Sequence, residues 1–380
     1  MGYILYFGVI AINLFCVCTK KKSKMIALFS VLALALVMGF AGTQFGDLQS
    51  YAEFYKKSAT VENTRLEPGY VWLNSVFLNM GFSFNDFRVI TFLICAFLIY
   101  LAMKEWTKEY NLMVLLYALS IFYFLSVALR FFFGFAIVMY ASRFLWKKKW
   151  INIVWYVLLV LLATQFHTSF YVMLLFLLCY LPPRALKATN HVLWYLSGLS
   201  MFLVLLMLVN TDFISFMSGV VNRTALELFS EMEELTDAYF SGNYSRRYVM
   251  YIAFYVLNVF CTQLSFRFLS QNRALPEGVQ NKTVCIQLIS LTLSMTILMS
   301  QTMIRLLFVV ILLGFFAAGR TLQTQRQTRQ PIKAGTKTLS VGAYIALIVG
   351  SALTWFVMIY VVGDLGFNLM RFLGNNTLFS

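Results

Sequence analysis

About a dozen apolar runs follow one another along this chain: 3–18, 25–45, 88–103, 111–127, 131–146, 151–166, 168–181, 192–210, 247–266, 283–300, 304–319 and 339–362. A bilayer core about 30 Å thick is crossed by roughly 20 apolar residues of helix, at about 1.5 Å rise per residue. The runs therefore predict an all-α, polytopic integral membrane protein with about 12 membrane segments. A membrane barrel needs alternating segments of about ten residues, and the sequence has none. Only 12% of residues are charged, against about 25% in a soluble domain. The first run lacks a cleavage pattern and reads as retained. With no domain-sized polar insertion, residues 1–380 read as a single transmembrane domain, and any chemistry belongs at the membrane.

The net charge of +15 is explained by position and needs no nucleic-acid partner. Lysine and arginine favour cytoplasmic loops. Placing "TKKKSK" (19–24) inside puts "KEWTKEY" (104–110), "WKKKW" (146–150), "PPRALKATN" (182–190), 267–282 and 320–337 inside as well. Together with Arg143 these segments hold 20 of the 30 basic residues but only Glu105, Glu109 and Glu277 of the 15 acids. Both termini then lie outside. Two external loops are long, 46–87 and 211–246, and are expected to cover a site on the outer face. Lys56, Lys57, Arg65, Arg88, Arg130, Arg223, Arg246, Arg247, Arg305 and Arg371 remain outside, against the rule, which suggests a task on that face.

The six cysteines are scattered through apolar runs without a metal-ligand spacing, so neither zinc nor a disulfide framework is expected. No acidic cluster has the spacing of magnesium ligands, and no cofactor is implied.

Arg130 in "SVALRFFFGFA" has apolar residues on both sides. An arginine there is costly unless it is paired or lines a polar cavity; the plainer alternative is a residue at a tight external turn that reaches the headgroups. Arg305 in "SQTMIRLLF" has Gln301 one turn earlier, and Arg246 and Arg247 lie beside Tyr244 in "NYSRRY". Arginines on one face suit phosphate oxygens, which their planar forks hold bidentately. Asp47, Tyr51 and Tyr55 recur every four residues and form one helical stripe. It reads either as a sugar platform, with Tyr70, Tyr244 and Gln301 as further candidates, or as an interfacial aromatic belt. In "RLEPGY", Pro68 suits the first turn of a short amphipathic helix with Tyr70, Leu73, Phe77 and Met80 on one face and Glu67 at its start. His167 interrupts "LLATQFHTSF" at the outer end of two segments short for full spans, one or both of which are expected to be tilted or re-entrant. It is a candidate base or a satisfied helix-end histidine. Glu67 and Asp47 are the other candidate acids or bases.

"GDLQSYAEFY", "EPGYVWLN", "ALRFFFGFAI", "LLATQFHTSF" and, more weakly, "MIRLLFVVIL" resemble, in this order, the EpsG/Wzy family of bacterial polysaccharide polymerases, which make O-antigen, capsule and exopolysaccharide. One departure is Phe131, where the arginine motif often has a polar residue. The resemblance implies a C-type glycosyltransferase-like membrane fold. It also implies an enzyme, active on the outer face of the bacterial cytoplasmic membrane, that joins undecaprenyl-diphosphate-linked oligosaccharide units with lipid diphosphate as leaving group. Membrane lipids, a flippase and a chain-length regulator would be its partners. Catalysis is expected without a metal, from Arg130, Arg305, Arg246 and Arg247 on the diphosphate and His167, Asp47 or Glu67 on the proton. The rival readings are a lipid-linked oligosaccharide flippase, and a polysaccharide ligase or O-acetyltransferase.

Overall fold

A computed structural model describes residues 2–45, 47–57, 66–147, 149–209, 277–293, 304–327, 334–360 and 369–377. Arg246, Arg247, Tyr244 and Gln301 lie outside the described residues. The structure is almost entirely helical, with no strand among the described residues. Among the described residues, four helices are long and apolar enough to cross a membrane: Phe84–Trp106, Leu129–Trp146, Pro183–Leu206 and Arg305–Gln323. Six shorter apolar helices accompany them.

The chain divides into two compact units, one of residues 1–174 with 351–380 and one of residues 175–350. The first holds α1 (Gly2–Cys18), α2 (Lys24–Gly39), α3 (Leu48–Lys57), α4 (Pro68–Asn79), α5 (Phe84–Trp106), α6 (Tyr110–Ser120), α7 (Phe122–Val127), α8 (Leu129–Ser142) and α9 (Trp150–Thr164). In it α5 packs on α2 and α8, α8 on α9, and α1 on α2 and α6. The second holds α10 (Pro183–Val209), which packs on α11 (Glu277–Thr292), and α12 (Ile304–Gln327), which also packs on α11. Exposed Trp194, Tyr195, Leu199 and Phe202 stud α10. Trp155, Leu158 and Leu162 do the same on α9, as suits helices whose outer surface meets lipid tails.

Local signals set several boundaries. Ser83 caps α5 by accepting from the Asp86 backbone N–H at 3.2 Å, while Asp86 reaches back to the Ser83 backbone, a capping box. Pro68 starts α4 as expected. On the face named for α4, Tyr70 is buried, Leu73 and Phe77 are half-buried with the Phe77 ring 5.5 Å from Phe82 and 5.2 Å from Phe87, and Met80 is exposed; Asn74 is buried as well.

Residues Thr168–Tyr180 form a 3-10 helix. Such a helix rises about 2.0 Å per residue, so this segment extends about 26 Å where an α-helix of the same length would reach about 20 Å.

Within the first unit the basic loops gather at one end. Lys22 pairs with Glu109, the Ser23 backbone N–H donates to Asn111 Oδ1 at 2.9 Å, Lys147 lies 3.5 Å from Glu105, and Trp106 donates to Ser142 at 2.9 Å. The opposite end holds the chain ends and the turns between them: the Gly42 backbone bonds Asn375, Thr377 bonds Phe40, and Tyr3 donates to the Met370 carbonyl at 2.6 Å. Alternating passage of α1, α2, α5, α6–α7, α8 and α9 between these ends follows.

Candidate functional site

The end opposite the lysine-rich loops carries a cluster built by four elements. The run 110–142 is mostly apolar, yet the helix breaks at Ala128 (φ −111°, ψ 66°) and restarts at Leu129. The break puts Arg130 in the first turn of α8. The N-terminal end of a helix is electropositive and repels a cation, so Arg130 needs an anion nearby. Glu67 supplies it: Arg130 Nη1 donates to Glu67 Oε2 at 2.5 Å, and the two side chains are only 17% and 12% exposed. Glu67 occupies the N-cap position of α4 but makes no side-chain cap bond there; its carboxylate is turned to Arg130.

Two close approaches fix Glu67. The Gly69 backbone N–H donates to the Gln165 carbonyl at 2.9 Å. A Cβ on Gly69 would stand 2.7 Å from Gln165 Cβ and 2.8 Å from its carbonyl oxygen, so only glycine lets α4 sit against the end of α9. Gly134 does the same for α8: a Cβ there would lie 2.2 Å from the Phe170 ring and 3.0 Å from the Ala163 carbonyl oxygen.

Tyr51 on α3 completes the cluster. Its phenol oxygen is 3.5 Å from Arg130 Nε, and the guanidinium stands 5.7 Å from its ring centre, a cation–π arrangement. Tyr51 also meets the Tyr70 ring edge-on at 5.8 Å. Tyr70 is fully buried among Tyr51, Phe54 and Phe133, with Asn74 beside its hydroxyl. Burial pushes the Tyr70 phenol well above its ordinary pKa, so it stays neutral.

His167 adjoins this cluster at the turn that ends α9. Its backbone N–H donates to the Ala163 carbonyl at 3.1 Å. Its ring stands edge-on to Phe131, the neighbour of Arg130, at 5.5 Å and to Phe170 at 6.1 Å. Its Nδ1 lies 2.7 Å from Ser169 Oγ.

The structure thus brings Glu67, Arg130, Tyr51 and Tyr70 into one contact network and sets His167 against Phe131, the residue after Arg130. It sends Tyr55 elsewhere: that phenol donates to the Phe82 carbonyl at 2.8 Å and the ring packs on Phe84 and Phe87. The i, i+4 stripe of α3 is real, but its rings are interior side chains. Asp47 lies one turn before Tyr51 and is exposed. Arg305 is half-buried in the first turn of α12, in the second unit.

Arg88, one of the basic residues left on the outer side by the charge pattern but given no ligand there, is completely buried. Its Nη2 donates to the carbonyls of Gly39 and Ala41 at 2.5 Å each, and its guanidinium lies 5.5 Å from the Phe84 ring. Carbonyls at the end of a helix carry partial negative charge, so Arg88 acts as the cap of α2. The sequence sign was available: a lone arginine one turn into an apolar helix.

Among the described residues, no three His, Cys, Asp or Glu side chains converge. The described cysteines are Cys16, Cys18, Cys95, Cys179 and Cys285, all free.

The model of the EpsG family matches residues 24–363, nearly the whole chain. The chain belongs to the EpsG family. Membership extends through the second unit, beyond the first 180 residues where the sequence motifs are densest, so α10–α12 are part of the family architecture. It is consistent with a polysaccharide polymerase of the glycosyltransferase type, working at a membrane. No curated protein and no solved structure matches the chain.

Proposed function

We propose that this EpsG-family chain is a polysaccharide polymerase. It joins undecaprenyl-diphosphate-linked oligosaccharide units at the outer face of the cytoplasmic membrane, with lipid diphosphate as leaving group. The observation that carries the reading is the Arg130–Glu67 pair at the start of α8, at the end of the first unit opposite its lysine-rich loops.

In this reaction a hydroxyl of the incoming unit attacks the anomeric carbon of the growing chain's reducing-end sugar. The bond from that carbon to the diphosphate oxygen breaks, and the diphosphate takes the electron pair. Negative charge grows on the leaving group, so a preorganised cation in a water-poor site lowers the barrier. Arg130 suits this work: it is partly buried, its guanidinium stands 5.7 Å from the Tyr51 ring centre, and the first-turn N–H groups of α8 add positive potential. In the free enzyme Glu67 neutralises it. Diphosphate, with more charge than one carboxylate, competes for the same guanidinium.

The hydroxyl's proton needs an acceptor. His167 beside Phe131 is the first candidate, since an unperturbed imidazole titrates near pH 6.5; Glu67, once displaced from Arg130, is the second, and Asp47 a third. Arg246, Arg247 and Arg305 as diphosphate contacts, and Tyr244 and Gln301 as sugar contacts, enter from the sequence alone. Tyr51 and Tyr70 meet sugar only if the α3–α4 contact opens. Membrane lipids, a flippase and a chain-length regulator remain the proposed partners.

The test is deletion of the gene with complementation, followed by chain-length analysis of the surface polysaccharide and of lipid-linked intermediates. Loss of polymer with single units retained on the outer leaflet is expected. Units trapped on the inner leaflet would make the protein a flippase, and normal polymer left unattached to its final acceptor would make it a ligase.

A further inference from the structure

The end of α2 is closed by two distant parts of the chain. Carbonyls at a helix end lack partners within the helix, yet all five from Val37 to Ala41 find donors. Arg88 Nη2 donates to Met38 at 3.4 Å and to Gly39 and Ala41 at 2.5 Å each. Asn376 Nδ2 donates to Val37 at 2.8 Å, and the Thr377 backbone N–H donates to Phe40 at 2.9 Å. The Asn375 carbonyl in turn accepts from the Gly42 backbone N–H at 3.1 Å.

Just before these residues, the short helix Leu369–Gly374 lies against the start of α1. A Cβ on Gly2 would stand 2.5 Å from the Leu373 carbonyl oxygen, so the approach is close. From this helix Phe372 points fully inside. Its ring meets Phe45 at 5.6 Å, Phe122 at 6.4 Å and Tyr123 at 5.4 Å, edge-on in each case. Those contacts sit at the roots of two arms. Phe45 leads into α3, which carries Tyr51; Phe122 and Tyr123 open α7, which ends at the break before Arg130. The arms meet again where Tyr51 touches Arg130.

We infer that Phe372 is a positioning residue: wedged between the roots of α3 and α7, with residues 375–377 holding the turn after α2, it sets Tyr51 against Arg130. This rests on the polymerase reading with Arg130 on the diphosphate. The physical reason is that a helix as short as the ten residues of α3 is marginal by itself. Its direction comes from what its first turn stands on. Without the Phe372 ring, space opens beneath both roots, and α3 and α8 lose their common reference. The guanidinium then meets the growing charge of the leaving group out of place, and a displacement with a distant origin still costs rate.

The test uses the full chain in lipid nanodiscs, in a cysteine-free background. Spin labels at Ser50→Cys on α3 and Lys21→Cys at the lysine-rich end, both exposed positions, report the distance between them. The parent should give one narrow distribution. Phe372→Ala and the milder Asn376→Ala should broaden it, and Phe372→Leu, which fills most of the space, should narrow it again. In parallel, membranes supplied with lipid-linked repeat units report rate per folded molecule. Phe372→Ala should lower kcat roughly 10- to 100-fold with little change in KM, and Phe372→Leu should recover most of it. Met103→Ala is the comparison. It empties a buried position toward the lysine-rich end, so it should cost stability but not rate per folded molecule. Distances unchanged in both Phe372→Ala and Asn376→Ala overturn the inference, as does a kcat loss in Phe372→Ala no greater than in Met103→Ala. If Phe372→Ala does not fold, Asn376→Ala decides by the same two measurements. A parent that forms no polymer from these units overturns the polymerase reading instead, and the distances still decide whether Phe372 holds α3.

Discussion

Glu67, at the N-cap of α4, and Arg130, in the first turn of α8, are 63 residues apart in sequence and joined by a charge-assisted hydrogen bond. Each sits where a helix N-terminus raises the local potential. The carboxylate gains from that field and the guanidinium loses by it. The pair therefore holds its cation at some electrostatic cost, a cost relieved by any ligand carrying more negative charge than Glu67. Among the described residues this is the contact that most narrows what the Arg130 cluster can bind.

Arg130→Lys should lose most polymerising activity and Arg130→Ala nearly all of it, with normal amounts of protein in the membrane. Lysine keeps the charge but lacks the planar fork that reaches Glu67 through one nitrogen and lies against Tyr51. The measurement is polymer length in cells lacking the native gene, normalised to membrane-fraction protein. Normal polymer from Arg130→Lys would remove the bidentate argument.

Glu67→Gln should weaken the fold as well as the reaction. It leaves a largely buried guanidinium without its counter-charge, at a cost of about 1–3 kcal/mol. A lower midpoint in detergent thermal unfolding, rescued partly by added pyrophosphate, is expected. An unchanged midpoint would mean that the pair is a solvated surface contact.

Gly69→Ala should impair activity more than its size suggests. The added methyl meets the Gln165 backbone, which cannot rotate away, so α4 must lift and carry Glu67 from Arg130. Gly81→Ala makes the comparison: its Cβ meets nothing within 4 Å, though its φ of +81° brings backbone strain. Stability should fall in both variants, but activity per folded molecule should fall only in Gly69→Ala. Equal activity per folded molecule in the two would show that the α4–α9 contact is not part of the site.

Transfer should survive excess EDTA, because the proposed charge stabiliser is arginine. Purified enzyme and lipid-linked substrate are the assay. Activity lost to chelation and restored by magnesium or manganese would show that a cation shares the work.

The sidedness can be checked by labelling in a cysteine-free background. Asn79→Cys and Lys21→Cys both place the probe at an exposed position, at opposite ends of the first unit. A membrane-impermeant thiol reagent on intact cells should modify the first and spare the second. The reverse result would turn the protein over and put the Arg130 cluster in the cytoplasm.

Apolar length and charge placement made the helical membrane class legible from the chain alone, because crossing a bilayer imposes a local, countable requirement on each segment. Pro68 marked the start of α4 for a similar reason: a proline ring sets its own φ whatever surrounds it. Arg130 stood out by its apolar neighbours, since the cost of a charge in such a run is visible in the run itself. Its partner was not visible. Nothing within a few residues of Glu67 or Arg130 pairs them; the contact exists because Gly69 lets α4 close on Gln165 and the helix breaks at Ala128. The stripe of Tyr51 and Tyr55 was equally plain as a period, yet period does not say whether a face meets sugar, lipid or protein. Only the packing of α3 on α4 and α5 turned Tyr51 toward Arg130 and Tyr55 toward Phe82. Local rules act through neighbours in the chain, and these residues are set by neighbours in space.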